Sequence, residues 1–238
     1  MKTIGLLGGM SWESTQSYYR ALNEGVKAAL GGLHSAKIVL YSVDFAEIEA
    51  RQHAGEWARM ATMLGDAAVA VERAGADFLL IGTNTMHKVA PEVQARITIP
   101  LLHIADATAQ VLEEQGIARV GLLGTRFTME ETFYRERLEA RGIEVLVPEA
   151  AERETVHRVI YEELCLGQIN EASRATYLAI VDAVAARGAQ GVILGCTEIA
   201  LLLQQPHTRV PLFDTTAIHA AQAVRQAIAA RPEHRGHE

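Results

Sequence analysis

The chain has 238 residues, of which 49% are hydrophobic and 21% are charged, a composition typical of a globular protein and not of a disordered or fibrous one. The formal net charge is -7, so no basic field exists to hold a nucleic-acid backbone. The two cysteines, Cys165 and Cys196, are too few for a disulfide framework, and without a secretory signal they are expected to stay reduced. The apolar N-terminal run, 4–10, is too short to span a membrane. We therefore expect a cytoplasmic protein with no nucleic-acid or membrane partner.

Short apolar runs alternate with longer amphipathic stretches along the chain, a pattern typical of βαβ units around a parallel sheet. The predicted strands are, in chain order, 3–7, 37–43, 77–81, 100–103, 119–123, 144–147, 191–194 and 211–213. The clearest predicted helices are 56–74, 128–141, 172–187 and 217–231. Gly75, Gly142 and Gly188 follow three of these helices, where a left-handed C-cap is favoured. The sequence therefore predicts an α/β fold with parallel sheets.

Four segments of the first half of the chain recur in the second half, in the same order. Residues 4–8 match 120–124, 73–77 match 187–190, 80–85 match 193–198, and 99–103 match 210–214. This repeat predicts two pseudo-symmetric βαβ lobes of one ancestry. We expect residues 1–115 and 210–238 to form lobe 1, and residues 116–209 to form lobe 2.

Two matching turns of the repeat end predicted strands and carry chemically useful side chains. Thr83 follows strand 77–81, and Cys196 follows strand 191–194. Ligands of open α/β sheets bind beyond the carboxyl ends of the strands. We therefore expect Thr83 and Cys196 to face one another across a cleft between the lobes.

Gly195-Cys196-Thr197-Glu198 follows a strand and has the pattern of a helix start. At such a position backbone N–H groups and the helix dipole lower the pKa of a thiol from about 8.5 toward neutrality, which favours a reactive thiolate. Glu198 could instead hold or receive the thiol proton. The alternative for Cys196 is an inert, buried side chain. Cys165 has acidic neighbours, which would raise its pKa, and it is expected to pack in the core.

Three further polar turns are expected at the same cleft. They are Gly8-Gly9-Met10-Ser11, Gly82-Thr83-Asn84-Thr85 and the segment from Gly124-Thr125 to Thr128. Capping of the next helix would by itself explain Asn84 or Thr85. If all four loops converge, their N–H groups and hydroxyls suit a carboxylate.

Four motifs together resemble the aspartate/glutamate racemase family over nearly the whole chain. They are Gly8-Gly-Met-Ser-Trp-Glu-Ser-Thr15, Thr83-Asn-Thr-Met-His87, Gly124-Thr125 and Gly195-Cys-Thr-Glu198. The resemblance implies two α/β lobes, no cofactor, a homodimer, and racemisation of amino acids by a cysteine on each side of the Cα. Cys196 matches the second-lobe cysteine, which attends to the L-enantiomer. Thr83 stands where the first-lobe cysteine of the usual Cys-Asn-Thr motif falls.

The threonine makes the two faces of the site unequal. An unassisted alcohol stays protonated near neutrality, so Thr83 can offer a proton or orient a water but cannot act as a thiolate does. We expect Cys196 to take the Cα proton of an L-amino acid, and Thr83 or a water to reprotonate the opposite face. The residues expected to bind the substrate are Met10, Gln52, Asn84, Thr85, Thr125, Thr128, Thr197 and Glu198.

The substrate's side chain is the least defined part of this prediction. Aspartate-specific relatives often use an arginine after the second strand and a lysine in the second lobe for the distal carboxylate. Here Arg51 or Gln52 could reach it, or could be solvated, and the loop at Gln168 has no lysine. Aspartate and glutamate are the expected substrates, and homoserine stays open.

Other functions fit the sequence less well. The histidines form no His-x-x-x-His pair with a nearby carboxylate, which argues against a metal, and no dinucleotide fingerprint is present. His87 could relay protons or be structural. The alternatives kept open are a malonate-type decarboxylase or a maleate cis-trans isomerase on the same scaffold, and a non-catalytic protein that binds an amino acid.

Overall fold

The computed structural model describes residues 1–229, and in them strands alternate with helices as the pattern predicts. The first half contains β1 (Ile4–Gly8), α1 (Trp12–Leu30), β2 (Ile38–Ser42), α2 (Phe45–Ala54), α3 (Trp57–Arg73), β3 (Phe78–Ile81), α4 (Ala90–Gln94) and α5 (Ile104–Glu114). The second half contains β4 (Arg119–Gly124), α6 (Arg126–Glu130), α7 (Thr132–Glu139), β5 (Glu144–Leu146), α8 (Ala150–Glu162), α9 (Glu171–Ala186), β6 (Val192–Gly195), α10 (Ile199–Leu202), β7 (Leu212–Asp214) and α11 (Thr215–Ile228). Short 3₁₀ turns lie at Thr85–Val89, Leu164–Leu166 and Gln205–His207.

The strands form two parallel sheets, which confirms the predicted fold class. The first sheet has the order β2-β1-β3 and the second has the order β5-β4-β6-β7. The duplicated Gly-Leu-Leu-Gly strands, β1 and β4, hold corresponding places in the two sheets. Every residue of β1, β3 and β6 is buried, because helices cover both faces of each sheet.

Three predicted elements differ in the structure. The predicted strand 100–103 contributes only an isolated parallel bridge between Leu79 and Leu101. The predicted helix 128–141 is two helices, α6 and α7, because Glu131 has an extended backbone between them. Helix α11 ends at Ile228, and the predicted end at 231 lies outside the described residues. Gly75, Gly142 and Gly188 have positive φ after their helices, as predicted.

Each lobe receives a helix from the other part of the chain. Helix α11 packs against α1 over the first sheet, where Val224 and Tyr18 share a buried core with Ile4. Helix α5 packs over the second sheet, where Ile104 and Leu122 share a core. The two helices follow corresponding segments of the repeat, so the exchange obeys the same pseudo-symmetry.

The expected division into 1–115 with 210–238, and 116–209, stays a proposal. The packing differs from it at two places. Helix α5 covers the second sheet although it precedes residue 116, and β7 pairs with β6 in that sheet although it follows residue 210. Residues 230–238 lie outside the described part of the chain. Among residues 1–229 no helix has both the length and the apolar character to cross a bilayer.

Candidate active site

A cavity of about 340 Å³, counted with its open mouth, lies between the lobes at the carboxyl ends of β1, β3, β4 and β6. Every expected site residue except Thr128 and Thr197 lines it: Met10, Gln52, Thr83, Asn84, Thr85, Thr125, Cys196 and Glu198. Thr83 and Cys196 therefore meet at one cavity, from opposite lobes. Gly195 also lines the cavity, in the turn expected there, and four further lining residues were not expected: Phe45, Ile160, Tyr161 and Cys165.

The Cys196 side chain is tied to a buried carboxyl group. Its Sγ donates a hydrogen bond to Glu198 Oε2 at 3.0 Å, and the Thr197 hydroxyl donates to the same oxygen at 2.8 Å. Across the cleft, Ser11 Oγ donates to Glu198 Oε1 at 2.5 Å. Glu198 is only 3% exposed. Of the roles considered from sequence, Glu198 is thus placed to receive the thiol proton.

The expected lowering of the Cys196 pKa is wrong. Burial raises the pKa of this thiol well above its usual value, and the charge of Glu198 raises it further. The expected helix dipole is weak because α10 begins only at Ile199 and has four residues. The resting form is therefore the thiol, hydrogen-bonded to its proton acceptor.

Thr83 has no such partner. Its half-buried hydroxyl makes no hydrogen bond within residues 1–229, so no base activates it and it stays an alcohol. Its backbone carbonyl accepts from His87 Nδ1 at 2.7 Å, while His87 Nε2 accepts from the N–H of Ile104 at 3.2 Å. Both ring nitrogens of His87 are occupied by backbone groups, which favours the structural interpretation over a proton relay.

Asn84 does not cap the turn that follows it, so that interpretation is wrong for this residue. Its Nδ2 instead donates to Thr215 Oγ1 at 3.0 Å. Thr85 Oγ1 meets Thr125 Oγ1 at 3.0 Å and Thr128 Oγ1 at 3.4 Å, so a cluster of hydroxyls joins the lobes at the cavity. Thr128 supports this cluster from outside the cavity wall.

Only one of the two residues expected to reach the distal end of the substrate lines the cavity. Gln52 lines the cavity and accepts a hydrogen bond from the Tyr161 hydroxyl at 3.0 Å. Arg51 does not line it, and binds the carbonyl of Glu47 at 2.9 Å. No lysine or arginine of residues 1–229 lines the cavity.

Cys165 lines the cavity as well, although it was expected only to pack. Burial raises its pKa, with Glu198 and Glu13 adding to the effect. The direction agrees with the prediction, whereas the main cause is burial and not the acidic sequence neighbours. Phe45 begins α2, in the turn region shortly after β2, so the strand-end rule could have found it, whereas nothing in the sequence marks Tyr161.

Side chains of the two lobes also pack together beside the cavity. The rings of His53 and Tyr161 have centroids 5.5 Å apart, and those of Trp57 and Phe127 are 5.4 Å apart. These contacts and the hydrogen bond between Tyr161 and Gln52 join the two lobes beside the cavity.

Comparisons with known proteins agree with this architecture of two parallel sheets with a cleft between them. The sequence profile of the Asp/Glu/Hydantoin racemase family matches residues 7–223. A crystal structure from Yersinia pestis, described as a candidate Asp/Glu racemase, is 57% identical, with a TM-score of 0.89 and coverage of 95% of this chain and 99% of that chain.

Two further relatives are similar to this chain. An aspartate racemase homologue from Pyrococcus horikoshii is 36% identical, with a TM-score of 0.83 and coverage of 95% of this chain and 99% of that chain. The broad specificity amino-acid racemase RacX of Bacillus subtilis is 26% identical over 69% of this chain and 70% of its own.

The protein is thus a two-lobed α/β enzyme of the isomerase class. The chain belongs to the Asp/Glu/Hydantoin racemase family, and its relatives support amino-acid racemisation.

Proposed function

We propose that the protein is a cofactor-independent amino-acid racemase of the aspartate/glutamate type. Cys196 takes the Cα proton of the L-enantiomer, and the Thr83 hydroxyl, directly or through water, protonates the opposite face to give the D-amino acid. The observation that carries this proposal is the placement of a thiol and an alcohol from opposite lobes at one polar cavity. Inversion requires a proton acceptor on one side of the Cα and a proton donor on the other.

The proton balance starts from the resting thiol. Its proton passes to Glu198 Oε2 along the 3.0 Å hydrogen bond, and the thiolate then takes the Cα proton. Thr83 gives its proton to the other face. Solvent returns a proton to the Thr83 oxygen and removes one from Glu198, which closes the cycle.

Asn84, Thr85, Thr125 and Met10 are proposed to hold the α-substituents. Thr128 supports the hydroxyls of Thr85 and Thr125, and Thr197 supports Glu198. Gln52 is proposed to face the substrate's side chain. Aspartate and glutamate are the proposed substrates on the strength of the family, and homoserine belongs in the test because the wall near Gln52 carries no cation. The cytoplasmic location and the homodimer stay predictions.

Both enantiomers must be substrates. Enantiomers have equal free energy in an achiral solvent, so the equilibrium constant of the reaction is one. A poor base at Thr83 can slow the D-to-L direction only with a matching change in affinity.

The test is proton NMR in D₂O with L-aspartate, L-glutamate and L-homoserine, with chiral chromatography beside it. We expect loss of the Cα proton signal together with D-product, and loss of both in Cys196→Ser. Exchange without inversion would contradict the role of Thr83, and Thr83→Cys is then expected to restore racemisation. Absence of exchange with all three amino acids would refute the racemase, and ligand-induced thermal stabilisation would then point to a binding protein.

One observation favours a second candidate. Because burial raises the pKa of Cys196, the resting thiol could protonate a carbanion without first losing its proton. A malonate-type decarboxylase needs only this single acid. Release of CO₂ from a substituted malonate, absent in Cys196→Ser, would establish that activity.

A further inference from the structure

Thr215, the first residue of α11, fixes the orientation of the Asn84 side chain. Thr215 Oγ1 donates a hydrogen bond to the carbonyl of Leu194 at 2.9 Å, and Asn84 Nδ2 donates to Thr215 Oγ1 at 3.0 Å. A hydroxyl has a single hydrogen. Because that hydrogen is used on Leu194, the oxygen can only accept, and the side of the amide that faces it must be the NH₂ group.

The other end of the amide is left without a partner. Asn84 Oδ1 is buried and receives no hydrogen bond from residues 1–229, and Asn84 lines the cavity while only 2% exposed. A buried carbonyl oxygen without a donor is costly. A ligand with an N–H group would satisfy this atom, whereas a carboxylate, which only accepts, would be repelled by it.

We propose that Thr215 is a positioning residue that holds Asn84 Oδ1 toward the ammonium group of the substrate. The proposal rests on the proposed function in one respect, that the ligand is an amino acid. It does not require that the amino acid is racemised. The substrate carboxylate is then left to the hydroxyls of Thr85 and Thr125.

The position of Thr215 suits this task. It is fully buried, it bonds to β6 of the second sheet through Leu194, and it begins a helix that packs over the first sheet. Asn84 follows β3 of the first sheet. The amide is therefore held by a residue anchored in both lobes, and its direction does not depend on the ligand.

The experiment compares ligands with and without the ammonium group. Calorimetric titration measures the affinity of the full-length protein for L-aspartate and succinate, and for L-glutamate and glutarate. The variant is Thr215→Val, which keeps the shape and removes the hydroxyl. Thr216→Val is the matched control, because the neighbouring Thr216 Oγ1 is also buried and makes no hydrogen bond. Thr215→Ser restores the hydroxyl.

A hydrogen bond to a charged group accounts for about tenfold to a hundredfold in affinity. We expect Thr215→Val to weaken the binding of L-aspartate, L-glutamate or both by about that factor. The affinity for the matching dicarboxylate, succinate or glutarate, is expected to stay unchanged. Thr216→Val and Thr215→Ser are expected to bind as the wild type does. If Thr215→Val does not fold, Thr215→Ala removes the same hydroxyl without placing an additional methyl group in the buried site.

Equal loss of both members of a pair in Thr215→Val would overturn the proposal, because it would show a general structural effect. Unchanged amino-acid binding would overturn it as well, as would a wild-type protein that prefers neither amino acid over its dicarboxylate. If the discrimination is present and no Cα exchange occurs, the inference about Thr215 stands and the proposed racemase fails.

Discussion

Three buried histidines lie together behind the Thr83 loop, and acid is expected to destabilise the fold through them. The ring of His87 lies 4.4 Å from that of His103 and 5.9 Å from that of His219, between centroids. Burial lowers the pKa of His87 to about 3, with help from nearby His219, and lowers the pKa of His219 to about 4. Burial also lowers the pKa of His103. All three are therefore neutral in the folded protein near neutral pH.

The sign follows from proton linkage. An unfolded histidine has a pKa of about 6.5, above the folded values, so the unfolded chain binds more protons below that pH. Stability is fully present above pH 6.5 and is lost as the pH falls. Each histidine lowers the free energy of unfolding by about 1.4 kcal/mol for each unit by which the pH falls below that value. His87 and His219 alone therefore remove about 5 kcal/mol between pH 6.5 and 4.5, which is comparable to the whole stability of a domain, about 5–15 kcal/mol.

Denaturant unfolding at pH 7.5, 6.5, 5.5 and 4.5, followed by circular dichroism, measures this loss. His103→Asn keeps an acceptor for the N–H of Ala105, which His103 caps at 3.2 Å, and removes one titrating group. It is expected to reduce the pH slope below pH 6.5 by about 1.4 kcal/mol per unit. His34→Asn, in the exposed segment after α1, is the matched control. A free energy of unfolding that is flat from pH 7 to 5 would refute the reasoning.

Three other substitutions give separate tests. Glu198→Gln removes the acceptor of the thiol proton, so Cα exchange is expected to fall about 10²-fold at neutral pH and to recover as hydroxide rises; a rate that is unchanged, measured by NMR from pH 6 to 9, would contradict this. Ser11→Ala removes a buried hydrogen bond to that carboxyl group and is expected to cost about 1.5–3 kcal/mol in denaturant unfolding, with the partly buried Ser17→Ala as control. Gly9→Ala places a Cβ 2.2 Å from a backbone oxygen, whereas Gly31→Ala, also at positive φ, meets nothing within 4 Å. Gly9→Ala should therefore cost about 1–3 kcal/mol more, and equal unfolding midpoints for the two variants would show that the loop yields.

Strand ends could be predicted because they depend on local pattern. The apolar runs before Thr83 and Cys196 and the turn residues after them identify the loops, and the repeat indicates that the loops oppose one another. Tyr161 could not be found this way, since it comes from the last turn of α8, and only tertiary packing brings that helix over the cavity. The sequence of a helix does not indicate which part of the folded protein the helix will cover.

The direction of the Cys196 pKa could not be predicted for a related reason. The sequence shows the turn and suggests a helix dipole, whereas the length of α10 and the depth of burial depend on the folded chain. The same holds for Asn84, whose residue type suits a cap. Its partner, Thr215, is distant in sequence and follows segment 210–214, which the repeat does not match with the segment of Asn84. Only the structure therefore identifies this hydrogen bond.

The exchange of α5 and α11 between the lobes also affects the order in which the protein can fold during its synthesis. One face of the first sheet, including Ile4 and Phe78, is covered by α11, which is the last helix of the described chain to leave the ribosome. Until then the first sheet exposes apolar side chains, although its own strands were made first. The second sheet, whose covering helix α5 is made before its strands, waits only for its edge strand β7, which precedes α11 in the chain. The nascent chain is therefore expected to complete its second lobe before its first.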